Sequence, residues 1–184
     1  MALLNSVELP SSGVAKDTDE VSLNLARLSP LLGIWKGTGR GKFPTIEAFD
    51  YTEGLKFESN GCEPLIHFEQ RTWVQSSTET NGSPLHWESG FIRPLEDGSI
   101  EISNAQNSGR VEVLKGRIDM AEYLKGILLM SFKSVLFGND PRLVQTRRTF
   151  TLKDKTLSYL LEMATVRTPN LQQHLEARLT RASI

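Results

Sequence analysis

The run Gly33-Ile34-Trp35-Lys36-Gly37-Thr38-Gly39-Arg40-Gly41-Lys42-Phe43-Pro44-Thr45-Ile46 decides the fold. Gly33, Gly37, Gly39 and Gly41 share one parity. On an extended strand they clear a single face, since a residue without Cβ lets backbone or ligand come close. Trp35 has the same parity and stands out of that otherwise small face. Upstream, residues 21–32 carry Leu23, Leu25, Leu28, Leu31 and Leu32, the spacing of a short amphipathic helical turn whose length Pro30 limits. Residues 1–22 are mixed, small and polar, and read as a flexible N-terminal arm, leaving 23–184 as the domain.

Downstream of the glycine run, short apolar stretches alternate with turn signals. The first strand is expected over 33–41 and the second over 45–59, ended by Asn60-Gly61. The third covers 65–75, ended by Asn81-Gly82, and the fourth 85–94, ended by Glu96-Asp97-Gly98. The fifth and sixth cover 99–104 and 109–116; the seventh covers 125–136, ended by Asn139-Asp140-Pro141. The eighth covers 144–152, turning at Lys153-Asp154-Lys155, the ninth 156–165 and the tenth 174–181. Asn-Gly, Asp-Gly and Asn-Asp-Pro supply the backbone conformations that tight hairpins need. Strands joined by such turns form an antiparallel meander, and closing it removes its two exposed edges. The expected fold is therefore all-β: a single antiparallel up-and-down barrel of about ten strands, calycin-like, with room inside for a ligand.

A chain of 184 residues is the size of one domain. No run approaches the roughly 20 apolar residues of a spanning helix, and residues 1–19 lack a basic segment followed by a long apolar one. Cys62 is the single cysteine, so no intrachain disulfide is possible. These features predict a cytoplasmic protein without a membrane partner. A net charge of -1 with scattered cations gives nothing to attract a nucleic-acid backbone. In Arg147-Arg148 alternation sends one side chain inward and one to solvent.

The histidines are His67, His86 and His174. There is no HxH, HExxH or CxxC for zinc, no GxSxG elbow, and no glycine-rich loop leading into a helix. Cys62 has no obvious base beside it. His174 follows the break Thr168-Pro169-Asn170-Leu171. Alternation with Leu175, Ala177 and Leu179 turns it outward unless a bulge intervenes. Leu157, Tyr159, Leu161 and Met163 share one face of the ninth strand, expected inward, with Met163 on the cavity. Methionine can lie against a flat ring or simply fill core.

The motif Gly33-x-Trp35-x-Gly37-x-Gly39, closely followed by Pro44-Thr45, resembles the opening of the nitrobindin family of small haem-binding β-barrels. Phe49-x-Tyr51, Leu65-x-x-Phe68-x-Gln70 with Trp73, and Leu85-His86-x-Glu88-x-Gly90-x-Ile92-Arg93 are similar to its second to fourth strands. Gln106 to Gly109 resembles the next turn, and Met163-Ala164-Thr165 followed by His174-Leu175 resembles its C-terminal end. The likeness runs over roughly residues 26–182. It implies haem b at one open end of the barrel, with His174 as axial ligand to the iron and catalytic centre. It implies Thr45 at the haem site, His86 and Gln106 in or near the pocket, and Met163 packed close to the proximal side. Lys42, Lys125 and Lys133 are the candidate partners of the propionates. The activity it implies is isomerisation of peroxynitrite to nitrate on ferric haem, with nitric oxide as a further ligand. The barrel alone would equally suit a carrier of a fatty acid or other apolar molecule, or an interaction module without haem.

Overall fold

Helix α1 (Glu20–Leu28) opens the described part of the computed structural model, which covers residues 19–183. Asp19 caps it by accepting the Ser22 backbone N–H at 2.7 Å, and Arg27 in the last turn complements the helix dipole. Pro30 ends it as expected, in a single 3-10 turn (Ser29–Leu31). Leu28 and Leu31 are fully buried, and the Trp35 indole N–H donates to the Leu31 carbonyl at 2.7 Å. These side chains pack with Ile100, Ile118 and Leu128 and plug one end of the molecule. Glu20, Val21 and Ser22, assigned above to an arm, belong to α1; residues 1–18 of that arm lie outside the described residues.

Ten strands follow: β1 (Gly33–Phe43), β2 (Ile46–Glu58), β3 (Ile66–Gln75), β4 (Pro84–Pro94) and β5 (Ile100–Gln106). The others are β6 (Val111–Ile118), β7 (Leu128–Gly138), β8 (Leu143–Lys153), β9 (Thr156–Thr165) and β10 (Thr168–Arg181). Each pairs antiparallel with its sequence neighbours, and β1 pairs with β10 from Trp35↔Arg181 to Gly41↔Leu175 to close the ring. Closure gives every edge a partner. Asp154 and Lys155, both at positive φ, make the two-residue turn between β8 and β9.

The cleared face of β1 is filled by its neighbour. Tyr51 lies opposite Gly39 and Phe49 opposite Gly41. A Cβ on Gly39 would stand 2.2 Å from the Tyr51 ring, and one on Gly41 2.1 Å from the Phe49 ring. The glycines thus admit two aromatic rings of β2 rather than a ligand.

Two expectations need correction. β10 starts at Thr168, not at residue 174, because the chain re-pairs with β9 at once through two register shifts. One helical turn, α2 (Met120–Tyr123), occupies part of the β6–β7 connection, so β7 begins at Leu128. Asp119 nucleates that turn by accepting the N–H groups of Ala121 and Glu122.

Candidate functional site

Inward alternation leaves a cavity of about 270 Å³ along the barrel axis. Its walls are Phe57, Phe68, Ile92 and Ile102 near the plugged end; His86, Gln106, Arg110 and His174 line the other. His174 enters it by a bulge. On β9, the consecutive residues Glu162 and Leu161 pair with Gln173 and Leu175, so His174 is the extra residue of β10. Both His174 and Leu175 therefore reach the cavity, which plain alternation forbids.

The His174 ring stands edge-on to Phe43 at 5.6 Å, and its Nδ1 lies 3.3 Å from the Lys42 carbonyl oxygen. A carbonyl only accepts, so that bond fixes the tautomer with the proton on Nδ1 and a lone pair on Nε2. Burial lowers the pKa of His174, opposed by the Lys42 carbonyl; Arg110 and His86 add to the lowering. The ring is thus neutral and oriented, the state a metal ligand needs.

A belt of buried polar side chains crosses the lumen deeper in. Arg148 donates to both oxygens of Glu88 at 2.5 and 3.0 Å, and to Glu112 at 3.2 Å. Thr146 and Gln106 donate to Glu112, and His86 lies 3.5 Å from Glu88. Burial would raise the Glu88 carboxyl, but Arg148 and His86 outweigh it and hold it at about 2. On the facing wall Gln70 and Tyr159 donate to Glu53 at 2.7 and 2.6 Å, and Tyr51 shares a bond with Tyr159 at 2.8 Å. Burial pushes Glu53 up to about 7 despite those bonds, and lifts Tyr51 and Tyr159 well above the ordinary phenol range.

The cavity brings together His174, His86 and Gln106. Met163 does face inward, but it packs with Phe43, Leu143 and Leu161 behind the wall rather than on it. Thr45 is exposed in the β1–β2 turn at the open end and does not line the cavity. None of the three candidate lysines lines it either. Lys42 and Lys133 point to solvent, and Lys125 pairs with Glu122 at the plugged end. The cation that alternation sends inward is Arg148; Arg147 is outside, on Glu162. His67 sits on the outer wall between Glu58 and Ser89, and Cys62 is exposed.

Sequence reasoning missed Arg110, the Glu88–Arg148–Glu112 cluster and Glu53. Glu53 and Glu88 were visible as acids at inward parity, next to Tyr51 and Leu55 and to Gly90 and Ile92.

Among the described residues no group of three metal-ligating side chains forms. One imidazole cannot retain a bare ion, but it can be the single protein ligand of a haem iron. A neutral ring at the mouth of an aromatic-walled cavity fits that group.

Known proteins share this fold and much of this sequence. Residues 24–181 match the family model described as the THAP4-like, heme-binding beta-barrel domain. The chain is 43% identical over 155 residues to the peroxynitrite isomerase Rv2717c of Arabidopsis thaliana, covering 84% of this chain and 87% of that one. It is 36% identical over 175 residues to a peroxynitrite isomerase of Nocardia farcinica, covering 92% and 99%. The crystal structure of Rv2717c from M. tuberculosis superposes with a TM-score of 0.77 at 32% identity, covering 86% of this chain and 97% of that one. Among the described residues, no helix is long and apolar enough to cross a membrane.

Proposed function

The chain belongs to the THAP4-like heme-binding β-barrel family, and on that premise we propose that it holds haem b on His174 and isomerises peroxynitrite to nitrate. The observation that carries this reading is the bulge that turns His174 into the cavity with its Nδ1 on the Lys42 carbonyl.

Ferric haem, when bound, would supply the iron chemistry that isomerises peroxynitrite to nitrate. The protein's own residues do the rest. The Lys42 carbonyl keeps the His174 proton on Nδ1, which leaves the Nε2 lone pair as the one that would hold a haem iron. Phe49, Leu161 and Leu175 give the ring system an apolar seat. His86 and Gln106 face the same space as hydrogen-bonding groups, steadied by Glu88 and Glu112. Nitric oxide would be a further small ligand of the bound haem in this reading. We place its work in the cytosol, in keeping with the single cysteine.

A fatty-acid carrier needs a buried cation left over for the carboxylate. Arg148 is held by Glu88 and Glu112 and is not free for that role, so a carrier would have to use Arg110 at the open end.

The test is a hemin titration of the apoprotein beside His174→Ala. Wild type is expected to give a saturable one-to-one Soret band and to speed peroxynitrite decay to nitrate; the variant loses the sharp band and the rate. A sharp, saturable band of equal affinity in His174→Ala removes the assignment.

A further inference from the structure

Arg110 is a cation held in place with much of its hydrogen-bonding capacity unused. Its guanidinium lines the cavity at the open end, on the same wall as Ser108. One nitrogen, Nη2, donates to Asp140 Oδ2 at 2.7 Å. Among the described residues, Nη1 meets only the Met163 sulfur, at 4.0 Å, a weak acceptor. Nε is buried and has no partner among the described residues. A planar guanidinium is built for two parallel bonds to one carboxylate, so a single anchoring bond leaves it poised for a second acceptor.

Asp140 cannot neutralise it. The same carboxylate also takes the Arg142 side chain, Nε to Oδ1 at 3.0 Å, and the Arg142 backbone N–H at 3.1 Å. Burial would raise Asp140, but the bonds from Arg142 and Arg110 hold it ionised, at about 2. Two arginines on one aspartate leave one positive charge at this rim. Meanwhile Lys42, Lys125 and Lys133 are off the cavity and Arg148 is consumed deep inside.

We propose that Arg110, positioned by Asp140, is the carboxylate-binding residue of the cavity and receives a propionate of haem seated on His174. The proposal rests on the haem reading and goes beyond it by assigning the ligand's acidic edge to the β5–β6 side of the mouth. Arg110 enters from the residue just before β6, Asp140 from the β7–β8 turn, and both flank the cavity end that holds His174. The ligand is thus gripped at two chemically distinct points, iron on an imidazole and carboxylate on a guanidinium.

The experiment compares hemin with hemin dimethyl ester, whose propionates carry no charge, by titrating each into wild type, Arg110→Leu and Arg110→Lys. Circular dichroism and thermal melting check the fold. Wild type is expected to prefer hemin over the ester; Arg110→Leu lowers hemin affinity about tenfold to a hundredfold, leaves ester affinity nearly unchanged and so collapses the preference. Arg110→Lys, a point charge without the fork, keeps part of it. The cycle of two ligands and two proteins removes the general difference in hydrophobicity between the ligands. If folded Arg110→Leu keeps the full wild-type preference, the proposal is overturned. Should Arg110→Leu fail to fold, unchanged preference in Arg110→Lys and Arg110→Gln overturns it likewise. Saturable binding of neither ligand to wild type would instead sink the haem reading itself, a different and recognisable result.

Discussion

Glu53 is buried on β2 among Tyr51, Leu55 and Phe57, and its hydrogen-bond partners, Gln70 and Tyr159, are neutral. Burial therefore raises its carboxyl from 4.5 to about 7. The folded state keeps a proton there that the unfolded chain has released, so stability falls as pH rises from about 4.5 to 7 and stays reduced above. The difference amounts to about 3 kcal/mol. Glu53→Gln, which keeps shape and hydrogen bonds, is expected to flatten this slope and to make the protein more stable than wild type at pH 8 but not at pH 5. Urea midpoints at the two pH values check it; an unchanged difference between them shows that Glu53 stays ionised throughout. The acid at inward parity was legible in the sequence. Its partners were not, since Tyr159 comes from β9, 106 residues away.

At the scale of elements, turn chemistry marked most strand ends to within a few residues, since Asn-Gly, Asp-Gly and Lys-Asp-Lys act through local backbone geometry. β10 escaped that logic. Pro169 and Asn170 read as a break, yet Thr168 already pairs with Thr165. Whether a chain resumes its ladder after a proline depends on the partner strand, not on the proline. The bulge at His174 has the same origin: β9 offers one residue fewer than β10 needs. Deleting Gln173 is expected to restore two-residue alternation and swing His174 to the outer face opposite Glu162. Hemin titration should then resemble His174→Ala while the far-ultraviolet dichroism of the barrel persists. Retained tight hemin binding would show that the bulge is not what delivers the histidine.

Across the whole molecule, the lumen is an apolar shell crossed by charged groups that satisfy one another from opposite walls. Arg148 of β8 reaches Glu88 of β4 and Glu112 of β6. Removing one partner of such a cluster strands the rest, so Arg148→Leu is expected to cost about 3–5 kcal/mol. Arg148→Leu combined with Glu88→Leu and Glu112→Leu should recover most of that. Denaturant unfolding of the single and triple variants measures it, and a single variant as stable as wild type would refute the account. The sequence by itself determined the all-β barrel, its strand count and the leucine-rich helical turn that precedes it, while His174 was marked as the ligand by the family resemblance and against its parity. The barrel and the turn follow from alternation, leucine spacing and turn residues, which are local and periodic. The tertiary structure alone decided that His174 faces inward, that Arg110 rather than a lysine lines the mouth, and that Arg148 is already spoken for. The first depends on the register of β10 against β9, and the others on which elements meet around the lumen, relations that exist only once the strands have paired and the ring has closed.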